Sequence, residues 1–155
     1  LKSGGDNLDK DLFKKTEGEL YNYKGLDIKI KSIEMDIEML QNDITLKAIN
    51  YNEKSGPTNA FNSSVENEVI RRDEVVKEQI QKLQNAKKFY MIKKNKIENA
   101  LQCLNDEEVK LVEMRYFQKV KNNWTKIGFN LGMDRMTCSR LRNKIIEKLS
   151  DFIFN

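Results

Sequence analysis

Two long series of apolar residues at heptad spacing constrain this chain more than any other feature. Tyr23, Ile30, Ile37 and Ile44 recur every seven residues, and Leu26, Ile33 and Leu40 follow three positions behind them. Such a seam is stable in water only when another helix covers it, so it predicts a coiled coil. A second series, Val69, Val76, Leu83, Tyr90, Ile97 and Leu104, has the same spacing, with Ile80 and Leu101 added four residues after Val76 and Ile97. Between the two lies a stretch with the only Pro, inside Ser55-Gly56-Pro57, through which a helix cannot continue. Ser63 and Glu66 then match a capping box that restarts the helix. Residues 8–104 are therefore expected to form a long antiparallel coiled-coil helical hairpin with a loop at 51–62. Each arm of about 40 residues would be roughly 60 Å long. The same seams could instead pair between chains as a homodimer. Gly18 and Gly25 each weaken a helix by up to about 1 kcal/mol relative to Ala. The segment 8–20 is accordingly expected to bend away or fray.

Composition supports an all-α fold. One Pro and seven Gly in 155 residues leave few breakers, and charged residues make up 34%. Residues 1–7, which open without Met, are expected to lie outside the fold, as a disordered segment or an appended remnant. The net charge of +4 is too mild to demand a nucleic-acid partner. Its distribution says more: residues 1–61 carry 9 basic against 11 acidic side chains, and residues 105–155 carry 10 against 7. His is absent, which removes the commonest general base and metal ligand. No Gly-rich phosphate loop is present, and neither Cys103 nor Cys138 has an evident activating partner, so no enzyme and no cofactor are expected. Cysteines 35 positions apart without a C-x-x-C pair suggest neither zinc nor a disulfide framework, but a reducing, cytoplasmic setting. No stretch reaches 18 apolar residues, so no membrane partner is expected.

Residues 105–155 read as a separate domain. Asn105 and Glu108 match a capping box opening a helix from Asp106 to Phe117, whose Val109, Leu111, Val112 and Tyr116 would face inward. After a polar connector, Trp124, Ile127, Gly128 and Leu131 line one face of a short helix. Trp124 is read as core rather than as a base-stacking residue. Gly132 suits a left-handed helix end, and Asp134 can cap a second helix. In that helix Cys138, Leu141, Ile145 and Leu149 form the apolar face, leaving Arg135, Ser139, Arg140, Arg142, Asn143 and Lys144 opposite. Two helices joined through a glycine turn make a helix-turn-helix, in which the amino end of the second helix can enter a DNA major groove. Arg135, Met136, Ser139 and Arg140 are the candidate base contacts; Lys126, Arg142, Asn143 and Lys144 are the candidate backbone contacts. Gly128 would let the two helices approach closely. Lys82, Lys87, Lys88, Lys93, Lys94 and Lys96 crowd the second arm, either as a solvated face or as flanking phosphate contacts.

The stretch LNDEEVKLVEMRYFQKVKNNWTKIGFNLGMDRMTCSRLRNKIIEKLSDF, residues 104–152, resembles region 4 of bacterial sigma factors. It resembles more closely the carboxy-terminal part of phage late-transcription activators of the RinA/ArpU type. The amino-terminal FKKTEGELYNYKGLDIKIKSIEMDIEML is similar to the opening of such activators. Asp134 stands where sigma-type domains usually carry Ser or Thr, and Cys138 where they carry Val or Ile. The resemblance implies a transcription activator of phage or prophage late genes, with double-stranded DNA and host RNA polymerase as partners in the bacterial cytoplasm. Two other functions fit a coiled coil joined to a helix-turn-helix: a small-terminase-like DNA-packaging protein, and a structural coiled-coil adaptor. A ring-forming oligomer would mark the first, and absence of salt-sensitive DNA binding the second.

Overall fold

The structure, a computed structural model, describes the backbone over residues 5–52 and 62–154 and side chains over 10–45 and 69–154. It is all-α, with no strand among the described residues. Among the described residues five α-helices run in order: α1 Gly5–Asn52, α2 Asn62–Leu101, α3 Asp106–Val112, α4 Trp124–Leu131 and α5 Arg135–Phe154. A π-helical turn, Glu113–Phe117, extends α3, where the sequence pattern suggested one uninterrupted α-helix to Phe117. The chain divides into two compact units, Leu1–Asp27 with Ile92–Asn155, and Ile28–Met91.

Most of the expected 51–62 loop lies outside the described residues. Helix α1 runs to Asn52 and α2 begins at Asn62, one residue before the expected Ser63 cap, whose side chain also lies outside them. Helix α1 starts at Gly5, inside the segment expected to be outside the fold.

In the unit Ile28–Met91 the heptad seams are the covered faces of both helices. Ile30, Ile33, Ile37, Leu40 and Ile44 on α1 are half-buried, as are Val69, Val76, Ile80, Leu83 and Tyr90 on α2. The Lys87 ammonium meets Glu34 at 2.7 Å, and Lys29 lies over the Tyr90 ring at 5.4 Å. Partner numbers on α2 fall as those on α1 rise, so the two helices run in opposite directions.

The other unit holds the fully buried core. Leu20, Leu26, Ile97, Ala100, Leu111, Val112, Ile127, Cys138, Ile145, Ile146 and Leu149 are at most 2% exposed. Segment 8–20 was expected to bend away, yet α1 continues unbroken through Gly18 and Gly25. Burial of Leu20 and Leu26, each contributing about 1.5–3 kcal/mol, outweighs the propensity cost of two glycines. Thr16 is also buried, and its hydroxyl donates to the Leu12 carbonyl at 2.8 Å. Tyr23 donates to Glu98 at 2.9 Å, Lys94 pairs with Asp27 at 2.6 Å and Lys93 with Glu19 at 2.8 Å. The unit thus includes the amino end of α1 and the carboxy end of α2, and does not begin at residue 105. An amphipathic α3–α5 cluster has more apolar surface than it can cover alone, and α1 covers part of it.

Candidate nucleic-acid interface

The site is built on how α3 is anchored. The Asn105 amide oxygen accepts from the Glu108 N–H at 2.9 Å, and the Glu108 carboxylate accepts from the Asn105 N–H at 3.1 Å. This is the capping box read from sequence. Lys148 of α5 then pairs with the other Glu108 oxygen at 2.6 Å. Burial pushes the Glu108 carboxyl up, but the Lys148 ammonium and the Asn105 N–H together hold it below the usual carboxylate range.

The π-helical turn ends at Phe117, and Asn122 closes it. The buried Asn122 amide donates to the Met114 carbonyl at 2.9 Å and to Gln118 at 2.6 Å. Its own carbonyl accepts from Arg115 at 2.8 Å. The Arg115 guanidinium in turn lies over the Trp124 ring at 4.4 Å. The polar connector is therefore a tied strap, a point that sequence reasoning missed. Asn123 caps α4 by accepting from the Lys126 N–H at 2.8 Å. That cap was legible as an Asn directly before an apolar period, and was also missed.

The turn between α4 and α5 follows the sequence reading. Gly132 takes φ 66°, the left-handed conformation that costs an L side chain most, and ends α4. The Met133 N–H donates to the Gly128 carbonyl at 2.9 Å. A Cβ at Gly128 would lie 2.5 Å from the Met133 carbonyl oxygen and 3.5 Å from the Cys138 sulfur. Gly128 is needed chiefly by the turn backbone, and secondarily by the helix crossing. Asp134 accepts from the Met136 and Thr137 N–H groups at 2.8 and 3.0 Å and from the Thr137 hydroxyl. The Thr137 hydroxyl, the leading cause, and these N–H groups hold the Asp134 carboxyl below its ordinary range. Burial, followed by the nearby Asp134 charge, pushes the Cys138 thiol up, which keeps it protonated and unreactive.

The expected contact residues divide into three groups. Arg135, Met136, Arg140, Lys144 and Lys126 are exposed, and Met136 is 64% so. Ser139 is half-buried at the edge of that face. Arg142 departs from its expected place on the outer face. Its guanidinium lies 3.4 Å from the Glu17 carboxylate and over the rings of Phe13 and Trp124 at 5.1 and 5.5 Å. The reason is helical geometry: Arg142 follows Cys138 by four and precedes Ile145 by three, and both are fully buried. Arg142 also donates to the Asn143 amide oxygen from two nitrogens, at 3.1 and 2.9 Å, which occupies that exposed side chain. Trp124 is half-buried against the Arg115 and Arg142 guanidinium groups and lies outside the fully buried core.

On the second arm, Lys82, Lys87, Lys93 and Lys94 all have carboxylate partners within 2.8 Å, and Lys96 donates to the Ile153 carbonyl at 3.4 Å. These lysines are engaged within the chain. Among the described residues no group of acidic, Cys or His side chains could hold a metal ion. No helix among them is long and apolar enough to cross a membrane.

Fold and site together define an all-helical protein whose carboxy-terminal helices present a capped, cation-bearing helix end. The sequence pattern described as "Protein of unknown function (DUF722)" matches residues 14–151, and the chain belongs to that family. No curated protein and no solved structure matches it.

Proposed function

We propose that this chain is a sequence-specific DNA-binding transcription activator that reads the major groove with α5. In this reading α4, the Gly132 turn and α5 form a helix-turn-helix similar to sigma region 4. The oppositely directed α1 and α2 form a coiled-coil hairpin that offers a protein-binding surface. The observation that carries the reading is the amino end of α5. Asp134 fixes its first turn, leaving Arg135, Met136 and Arg140 exposed on side chains suited to base edges. Arg presents a bidentate donor fork to guanine, and Met an apolar surface to the thymine methyl group. Lys126 and Lys144 are free to meet phosphates, whereas Arg142 holds α5 against α1. Host RNA polymerase is the partner, and late phage promoters the target, that the resemblance to RinA/ArpU-type activators suggests.

The test is selection from a random duplex pool with the full chain, followed by binding of Arg140→Ala to selected and scrambled duplexes. Arg140→Ala should lose on the order of 1–3 kcal/mol of discrimination between the two. Failure to retain any duplex at low salt would overturn the reading.

A further inference from the structure

Helix α1 carries a second apolar stripe that no part of the described chain covers. Its seam residues Ile30, Ile33, Ile37 and Leu40 are half-buried, yet Ile28, Met35 and Met39 are 72%, 62% and 69% exposed. Spacings of seven and four place these three on one outward face, the pattern of a helix prepared for another helix. Large apolar side chains aligned on one helix face, with exposed Lys31 and Ser32 between Ile28 and Met35, suit a helix-to-helix contact. The flank of the stripe carries Lys31 toward one end and Glu38 toward the other, both exposed. Neither has an ion-pair partner among the described residues.

We propose that this outward face of α1 is a homodimer interface, in which a second copy packs antiparallel about a twofold axis between Glu34 and Met35. Such an axis sets Lys31 of each copy against Glu38 of the other, so the charges match twice. It sets Met35 within one residue of its own counterpart along the axis and brings Ile28 within a helical turn of Met39 of the second copy. The surface is self-complementary, which an isologous contact requires and an unrelated partner does not. The contact is distinct from the seam that α1 shares with α2, and from the helix end proposed to read DNA.

The measurement is sedimentation velocity of the full chain over a concentration series, with helicity followed by circular dichroism. The parent should show a monomer–dimer equilibrium. Met35→Glu should weaken it roughly tenfold or more, with helicity unchanged because the side chain is exposed. Lys31→Glu should also weaken it, and the swap Lys31→Glu with Glu38→Lys should restore the dimer, since antiparallel copies then match with signs exchanged. A parent that stays monomeric throughout overturns the proposal. So does a dimer indifferent to Met35→Glu, or a charge swap that restores nothing.

Discussion

The Tyr116 hydroxyl donates a hydrogen bond to the Glu17 carboxylate at 2.6 Å, joining residues 99 positions apart. The Tyr116 ring also meets Tyr21 edge-on at 4.7 Å between centroids, and Tyr23 packs on Phe117 at 4.8 Å. Burial first, and the Glu17 carboxylate second, push the Tyr116 hydroxyl far above its ordinary pKa, so it stays a donor at any physiological pH. The first turns of α1 are in this way part of the unit that holds the candidate interface. Hydrogen bonds to a charged group contribute about 1.5–3 kcal/mol. Tyr116→Phe should lower stability by about that amount, measured by denaturant unfolding with Trp124 fluorescence as the probe. Unfolding indistinguishable from the parent would show that the contact does not hold α1 in place.

Truncation follows from the same contact. A fragment beginning at Asn105 lacks Leu20, Leu26 and Ile97, all at most 2% exposed in the intact unit. Loss of a buried Leu side chain alone costs about 2–5 kcal/mol. The fragment should unfold at markedly lower denaturant than the full chain, or lose its cooperative transition. A fragment with the parent's transition would place the domain boundary at residue 105 after all.

The glycines divide into two kinds. A methyl group at Gly128 would press on the Met133 backbone oxygen, which cannot rotate away, so Gly128→Ala should destabilise by about 1–3 kcal/mol. A Cβ at Gly18 or Gly25 meets nothing within 4 Å. Gly18→Ala and Gly25→Ala should each stabilise the helix by about 0.5–1 kcal/mol. Thermal melting of the three variants checks both signs, and a stabilising Gly128→Ala would contradict the turn geometry.

Local signals were the legible part of this molecule. The Asn105–Glu108 box, the Gly132 helix end and the Asp134 cap are each set by a few consecutive residues, and each sits where spacing placed it. The heptad seams likewise named the covered faces of α1 and α2. What the spacing did not show was which distant surfaces meet. Thr16, Glu17 and Leu20 read as a weak, glycine-flanked helix start, yet Thr16 and Leu20 are fully buried and Glu17 meets both Tyr116 and Arg142. The π-helical turn has no sequence marker, so the Asn122 strap that closes it read as a plain connector. Arg142 differs for another reason: its charge suits the basic outer face, but its spacing from the buried Cys138 and Ile145 turns it toward α1.

Acid should loosen the α3–α5 contact. The Glu108 carboxyl is held below its unfolded value, so its contribution is complete above the unfolded carboxyl range, near pH 4.3, and is lost as pH falls through the folded value. Glu108→Gln removes the titrating group while keeping much of the cap. Its stability should be lower than the parent's at neutral pH, and the two should converge on acidification. Parallel pH profiles for parent and variant would show that the Lys148 pair contributes nothing.

On the proposed DNA-binding reading, Arg142 holds the helix in place and Lys144 meets a phosphate, and the two roles can be separated. Arg142 stacks over Phe13 and Trp124 and meets Glu17, whereas Lys144 is exposed two residues on. Arg142→Ala should cost about 1–3 kcal/mol of folding stability through lost stacking and pairing. Its DNA affinity should fall for specific and scrambled duplexes alike, with the salt dependence unchanged, because no phosphate contact is removed. Lys144→Ala should leave folding within about 0.5 kcal/mol of the parent. In return it should lower the slope of log affinity against log salt by roughly one unit. The two measurements are denaturant unfolding and duplex binding at several salt concentrations. A drop in salt slope for Arg142→Ala would mean that the guanidinium leaves Glu17 to reach a phosphate, and that α5 re-seats when DNA arrives.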